Sequence, residues 1–342
     1  MPQPRSRRPT QSDVARLAEV SQPVVSYVLS GDPDAPVAAE TRRRVLDAIE
    51  RLGYVPDRRA RGLRQQRTYT IAGVIPDITN PFYPAFERGV QDVADRHGYD
   101  LITYNTDGIR EKELKAVRSI RESRVDGVII TPFHLSIEEV EQVAQDGIAV
   151  CINGQPGWDP TSFGMDQVYN DGVAAAATAV NWLLERGHTR IGMIAGEEGT
   201  YPREARVRGY LQALADHDLP TDPILVRSVD FTVEGGLAAA KELLALSPRP
   251  SAIFAANDLM AMGALMHIRT LGLRVPEDIA IVGFDDIPAA AIVHPPLTTI
   301  AQYPELLGSR AAELVIERLD SNSGLPGRRE ETPFDLVIRE SA

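Results

Sequence analysis

The segment Thr10-Gln-Ser-Asp-Val-Ala-Arg-Leu-Ala-Glu-Val-Ser-Gln-Pro-Val-Val-Ser-Tyr-Val-Leu-Ser-Gly31 reads as two short helices joined by a tight turn. Thr10 and Asp13 stand at the spacing of a capping box, in which side-chain oxygens satisfy the orphan amides of a helix start. Val14, Ala15, Leu17 and Ala18 follow as an apolar stripe, and Glu19-Val20 makes the turn. Ser21 then stands where a second helix is capped, with Pro23 in the first turn, where its missing N–H costs little. Val24, Val25, Val28 and Leu29 supply the inward face of that helix, and Gly31 ends it. A third helix is expected from about Glu40 to Leu52, with Val45, Leu46, Ile49 and Leu52 inward and Arg42, Arg43 and Arg44 in its first half. Gly53 is its C-terminal stop. Two short helices and a longer supporting one have the form of a helix-turn-helix, whose second helix enters the DNA major groove. Other small three-helix bundles share this periodicity, so spacing alone leaves both readings open.

Charge separates this segment from the rest of the chain. Residues 1–70 hold 13 arginines and no lysine against 8 acidic residues, a net of +5; 23 basic and 40 acidic residues follow, a net of −17, and together they make the chain's −12. An acidic body repels a polyanion, so contact with nucleic acid would be confined to the basic head. With 342 residues, 43% of them hydrophobic, the chain suffices for two or three folding units. The arginines near the N-terminus precede no apolar stretch, and no run of 18 apolar residues occurs, so a cytoplasmic, nucleoid-associated protein without membrane partners is expected. The single cysteine, Cys151, lies in an apolar run and reads as a core residue suited to a reducing compartment.

The order of residues carries more than their periodicity. Asp13 through Gly31, continued by Thr41-Arg42, Gly53-Tyr-Val-Pro56 and Ala60-Arg-Gly-Leu63, resembles the headpiece and hinge of the lactose-repressor family. The resemblance implies a headpiece over residues 1–56, a hinge helix and linker over 57–68, and a two-lobed effector-binding and dimerisation domain over 69–342. It assigns base contacts to Gln22, Pro23 and Tyr27, of which Gln22 suits bidentate pairing with adenine. Ser21, Ser26, Arg42 and Arg58 have the hydroxyl and guanidinium chemistry of phosphate contacts. Ala60 and Leu63 fall on the hinge, where Leu63 matches a leucine that wedges between base pairs in the minor groove. Many members carry arginine in place of Tyr27, and serine in place of Ala38 before the third helix, so no operator sequence can be transferred.

From Tyr69 onward apolar strands alternate with helices. Strands are expected at Thr70–Ile75, Leu101–Tyr104, Gly127–Thr131, Ile148–Ile152, Ile191–Ala195, Ala252–Ala256 and Ile279–Phe284. Alternation of this kind implies doubly wound parallel sheets, with ligands bound beyond the carboxyl ends of the strands. The loops there present polar or aromatic groups, the surroundings that a polyhydroxylated ring requires. These segments resemble the type I periplasmic sugar-binding fold that serves as the family's sensor. By that resemblance the ligand contacts fall on Asn80, Phe82, Arg206, Asn257, Asp285 and Gln302, with Tyr83, Thr131, Phe133, Asn153 and Phe231 as further candidates. Many pentose binders have arginine where this chain has Gly154.

No nucleophile elbow, phosphate loop, His-Glu-x-x-His or paired cysteines occurs, and the six histidines are scattered. The expectation is therefore a regulator without enzymatic activity, cofactor or metal: a homodimer on pseudo-palindromic double-stranded operator DNA, answering to a small sugar-like effector. No heptad helix for tetramerisation is expected beyond Leu336-Val-Ile-Arg-Glu-Ser-Ala342, so a dimer is the default expectation. A solute-binding protein without DNA function shares the sensor fold but would need an export signal and no basic head. An activator could use the same parts.

Overall fold

A computed structural model describes residues 9–30, 36–55, 67–123, 125–154, 159–321 and 325–342. The chain forms two compact units, Met1–Thr68 and Tyr69–Ala342.

In the first unit, α1 (Gln11–Leu17), α2 (Gln22–Ser30) and α3 (Ala39–Leu52) close around Val14, Ala15, Ala18, Val25, Val28, Val45 and Ala48. The capping box forms: the Thr10 hydroxyl accepts from the Asp13 N–H, and the Asp13 carboxylate accepts from the Thr10 N–H at 2.9 Å. The turn between α1 and α2 places Glu19 at φ 53°, a left-handed conformation that lets the Val20 N–H reach the Ala15 carbonyl at 3.0 Å. Gly53, at φ 58°, ends α3. Two inward assignments fail. Leu46 is 52% exposed and Leu17 is 40% exposed. At 100° per residue each lies about a quarter-turn from the centre of its helix's buried face, set by Val45, Ala48 and Ile49 in α3 and by Val14 and Ala18 in α1. Ala38 caps α3 without a side-chain hydrogen bond.

The second unit begins with β1 (Thr70–Ile75), α4 (Phe82–Arg96), β2 (Asp100–Asn105), α5 (Arg110–Ser123), β3 (Gly127–Ile130), α6 (Ile137–Gln145), β4 (Ala149–Asn153) and β5 (Asp166–Tyr169). A second set follows: α7 (Gly172–Glu185), β6 (Ile191–Ile194), α8 (Tyr201–Asp216), β7 (Val226–Arg227), α9 (Val233–Leu244), β8 (Ala252–Ala255), α10 (Asp258–Thr270) and β9 (Ala280–Val282). The chain ends with β10 (Thr299–Ala301), α11 (Pro304–Asp320), β11 (Arg329–Glu331) and β12 (Asp335–Val337). The sheets are parallel, β11-β5-β4-β3-β1-β2 in the first lobe and β7-β6-β8-β9 in the second, while β10 and β12 pair antiparallel. β3, β6 and β8 are buried along their whole length, as strands covered on both faces must be. Cys151 is fully buried in β4, and burial pushes its thiol well up from the ordinary range.

Three connections pass between the lobes, at residues 169–172, 301–304 and 331–335. The last helix of the first lobe, α11, lies so close to α4 that a Cβ at Gly308 would stand 2.0 Å from the Phe86 carbonyl oxygen. Among the described residues no helix is long and apolar enough to cross a membrane.

Candidate functional site

On the first unit, α2 turns its polar side outward. Ser21, Gln22 and Pro23 are exposed, Tyr27 is 49% exposed, and Ser26 and Arg42 are half-buried. Gln11 of α1 joins Gln22, Pro23, Ser26 and Tyr27 around one surface depression, where the Gln22 Nε2 donates to the Gln11 Oε1 at 3.4 Å. Gln11 was not a sequence candidate, because a polar residue at a helix start signals capping or solvent equally well. Arg58, Ala60 and Leu63 lie outside the described residues.

The second unit holds a cleft of about 910 Å³, its open mouth included, at the carboxyl ends of the parallel strands of both lobes. All eleven residues named from the sequence line it: Asn80, Phe82, Tyr83, Thr131, Phe133 and Asn153 from the first lobe, and Arg206, Phe231, Asn257 and Asp285 from the second, with Gln302 on a connection between them. The strand-to-helix alternation sends each loop to this edge, which is why residues more than 200 positions apart meet.

Its centre is an ion pair, Arg206 Nη2 to Asp285 Oδ1 at 3.5 Å, with Arg206 11% exposed and Asp285 5%. The Gln302 Nε2 donates to the same carboxylate oxygen at 2.7 Å, and the Arg206 guanidinium lies over the Phe284 ring at 4.1 Å. Burial raises the Asp285 pKa to about 6, against the opposing pull of Arg206 and hydrogen bonds from Asn80 and Gln302. Burial likewise lowers Arg206 and raises Tyr83. Asp285 holds φ 113°, a backbone conformation that costs energy in a residue with a Cβ and that clusters at functional sites.

The flanking groups are also engaged. Asn257 caps α10 by accepting from the Met260 N–H at 2.8 Å, and its amide donates to the Phe231 carbonyl at 3.1 Å. Asn80 accepts from the Phe82 N–H at 3.1 Å, and Asn153 donates to the Thr131 hydroxyl at 3.3 Å. Phe133 and Phe231 meet across the lobes with ring centroids 5.7 Å apart, and Phe82 packs edge-on against Tyr83 at 5.2 Å.

Comparison with known proteins gives this geometry its kinship. The chain is 35% identical over 336 residues to the transcriptional repressor CytR of Escherichia coli, covering 97% of this chain and 96% of the relative. The chain belongs to the lacI family of bacterial regulatory proteins. The profile of that family matches residues 10–57, and the profile of the periplasmic binding protein-like domain matches residues 180–342. Catabolite control protein A of Priestia megaterium is 34% identical, covering 96% of this chain and 98% of the relative. Among solved structures, the lac repressor dimer bound to operator and an anti-inducer superposes with a TM-score of 0.86 at 25% identity, covering 98% of this chain and 99% of the other. A CelR–cellobiose complex superposes with a TM-score of 0.73 at 32% identity, covering 98% of this chain and 100% of the other. As a LacI-family member the chain is a DNA-binding transcriptional regulator, with a helix-turn-helix headpiece and a two-lobed periplasmic-binding-protein-like domain.

Several groups at the cleft escaped sequence reasoning. Asp77, Asn170 and Tyr201 also line it. The Tyr201 hydroxyl donates across the lobes to the Leu135 carbonyl at 2.9 Å. Behind the wall, Glu113 of α5 accepts from the Phe133 and His134 N–H groups at 2.6 and 3.0 Å, and burial raises its carboxyl pKa. Among the described residues no group of three or more metal-ligating side chains is placed to hold an ion.

Proposed function

We propose that this protein is a repressor of carbohydrate or related metabolite genes, and that a small polyhydroxylated effector in the cleft sets its affinity for operator DNA. One observation carries the effector reading: polar side chains from separate strand ends converge on a buried Arg206–Asp285 pair that Gln302 holds in place. A carboxylate that accepts and a guanidinium that donates match hydroxyl groups, which do both. Similar structures include the CelR–cellobiose complex and a LacI-family transcriptional regulator from Enterococcus faecium with bound ribose, which supports a sugar.

Residues 1–56 are the headpiece in this reading, 57–68 the hinge and 69–342 the sensor. Gln22, Pro23 and Tyr27 read bases; Ser21, Ser26, Arg42 and Arg58 set register on phosphates; Ala60 and Leu63 enter the minor groove. Gln11 steadies the Gln22 amide, leaving its oxygen and second N–H for an adenine edge. The chain acts as a homodimer on two half-sites in the cytoplasm, as the lac repressor dimer bound to operator suggests. Effector binding alters lobe closure and hence the spacing of the hinges, and it acts by favouring one lobe arrangement over the other. The protein binds rather than transforms its ligand.

The test pairs two readouts on the full-length chain. Thermal shift against sugars, polyols and nucleosides should find a ligand that raises the melting temperature. The same ligand should change operator affinity in a mobility-shift titration. A ligand that stabilises the protein yet leaves DNA binding unmoved would overturn the coupling. Footprinting with and without polymerase separates repression from activation.

A further inference from the structure

We infer that the effector carries no negative charge: the cleft takes a neutral polyhydroxylated molecule, a free sugar, polyol or nucleoside, and excludes phosphorylated and acidic relatives of it. The inference rests on the effector reading above and concerns the electrostatics of that site.

Of the described residues lining the cleft, only Arg206 is cationic, and two, Asp77 and Asp285, are anionic. The wall is therefore net negative before any ligand arrives. The charge of Arg206 is already balanced, its guanidinium paired with Asp285 at 3.5 Å and its face lying over Phe284, while its other N–H groups can still donate to hydroxyls. Immediately behind Phe133 lies a further carboxyl, the buried Glu113.

Helix N-termini are the other means of holding an anion, since their first N–H groups carry partial positive charge. Four helices start at this cleft, and their amides are largely occupied. The Asn80 side chain takes the Phe82 N–H at the start of α4, the Asp171 carboxylate takes the Val173 and Ala174 N–H groups of α7, and Asn257 takes the Met260 N–H of α10. The fourth helix, α8, has Pro202, which lacks an N–H, in its first turn and Glu204 close behind. At the start of α7, beside the lining residue Gly172, the Asp171 carboxylate thus stands where a phosphate would need donors. A phosphate placed here would lose its hydration without gaining a free cation or a set of amides, and burying an unpaired charge is costly. Hydroxyl groups meet the opposite situation, because Asp285, Asn153, Asn257 and Gln302 supply acceptors and donors without net charge transfer.

Matched pairs test this on the full-length protein: ribose and ribose 5-phosphate, glucose and glucose 6-phosphate, cytidine and cytidine 5′-monophosphate, with gluconate and cellobiose added, read by thermal shift and calorimetry. At least one neutral member should bind, and its phosphate ester should bind about 100-fold more weakly or worse. The pairs that respond also separate a sugar from a nucleoside. A phosphorylated or carboxylated member that binds as tightly as its neutral parent overturns the inference and leaves the effector reading standing. No shift from any member removes the effector reading, and the inference with it. Asp285→Asn releases Arg206 and should narrow the neutral-to-phosphate ratio about tenfold; an unchanged ratio means that Arg206 was open to anions from the start. Asp77→Asn, at a half-buried position, narrows it by a smaller factor and serves if Asp285→Asn does not fold.

Discussion

The two units of this chain carry their candidate recognition groups in opposite ways. The first places Gln22, Pro23 and Tyr27 on the outside of a three-helix core that holds seven buried apolar residues among those described. The second hides its central pair, with Asp285 only 5% exposed, between two parallel sheets. A reader of a polyanion needs exposed donors and a positive field, and it works in high dielectric, where salt screens it. A sensor of a small neutral molecule needs water excluded and its charges already paired, so that a few hydrogen bonds decide selectivity. Damage to the second unit should therefore cost more than damage to the first, and the two kinds of damage should answer to different solution conditions.

Asp285→Ala should have the largest effect. It removes the carboxylate that accepts from the ligand's hydroxyls, so calorimetry should show ligand affinity falling by about 3 kcal/mol or more while operator binding without ligand persists. Loss of both would mean that the hidden site and the exposed one are not separable. Next comes Gly308→Ala, whose Cβ would stand 2.0 Å from the Phe86 carbonyl oxygen. Forcing α11 off α4 should cost up to about 3 kcal/mol in urea denaturation of the sensor unit.

A pH series sharpens the contrast. The Asp285 pKa is raised from 3.8 to about 6 in the folded protein. Between those values the folded state keeps a proton that the unfolded state has lost, so the stability this group contributes is full below about pH 4 and lost as pH rises through 6. Relative to Asp285→Asn, the wild type should lose on the order of 2 kcal/mol over that interval. Parallel curves for the two proteins would show that Asp285 is not desolvated as the cleft geometry requires.

On the exposed side, Gln22→Ala should cost about 1 to 2 kcal/mol at one base position and little on random DNA, with Gln11→Ala affecting the same position more weakly. Equal loss on all sequences would move both residues from base reading to general attachment. The smallest change is a gain. Ala38→Ser should stabilise the first unit by about 0.5 to 1 kcal/mol, because α3 begins without a side-chain cap, and thermal unfolding of the full chain would register it.

Legibility in the sequence followed the same division. The headpiece was readable because capping residues, turn and apolar stripe fall within one stretch of 22 residues, Thr10 to Gly31. The two errors there, Leu17 and Leu46, came from counting a leucine as inward when the helical angle puts it about a quarter-turn away. The buried strands β1, β3, β6 and β8 announced themselves as apolar runs. The strands β7, β10, β11 and β12 did not, since two or three residues paired through their backbones leave no periodicity. Cleft residues such as Asn80, Asn257 and Asp285 were readable because each follows a strand. Glu113 was not, because an acidic residue in the first turn of α5 reads as an ordinary helix-start charge, and it reaches the cleft wall only through the backbone N–H groups of Phe133 and His134. Tyr201 starts α8, and nothing local indicates that its hydroxyl would find Leu135 of the other lobe.

Fluorescence anisotropy of a labelled pseudo-palindromic operator, titrated with the full-length protein at several salt concentrations with and without the neutral ligand found by thermal shift, probes the coupling of reader to sensor. Binding should be sequence-selective and weaken steeply with salt, and saturating ligand should move its midpoint at least tenfold in the wild type and not in Asp285→Ala. Salt-insensitive or unselective attachment, or a midpoint that saturating ligand leaves in place, would contradict it.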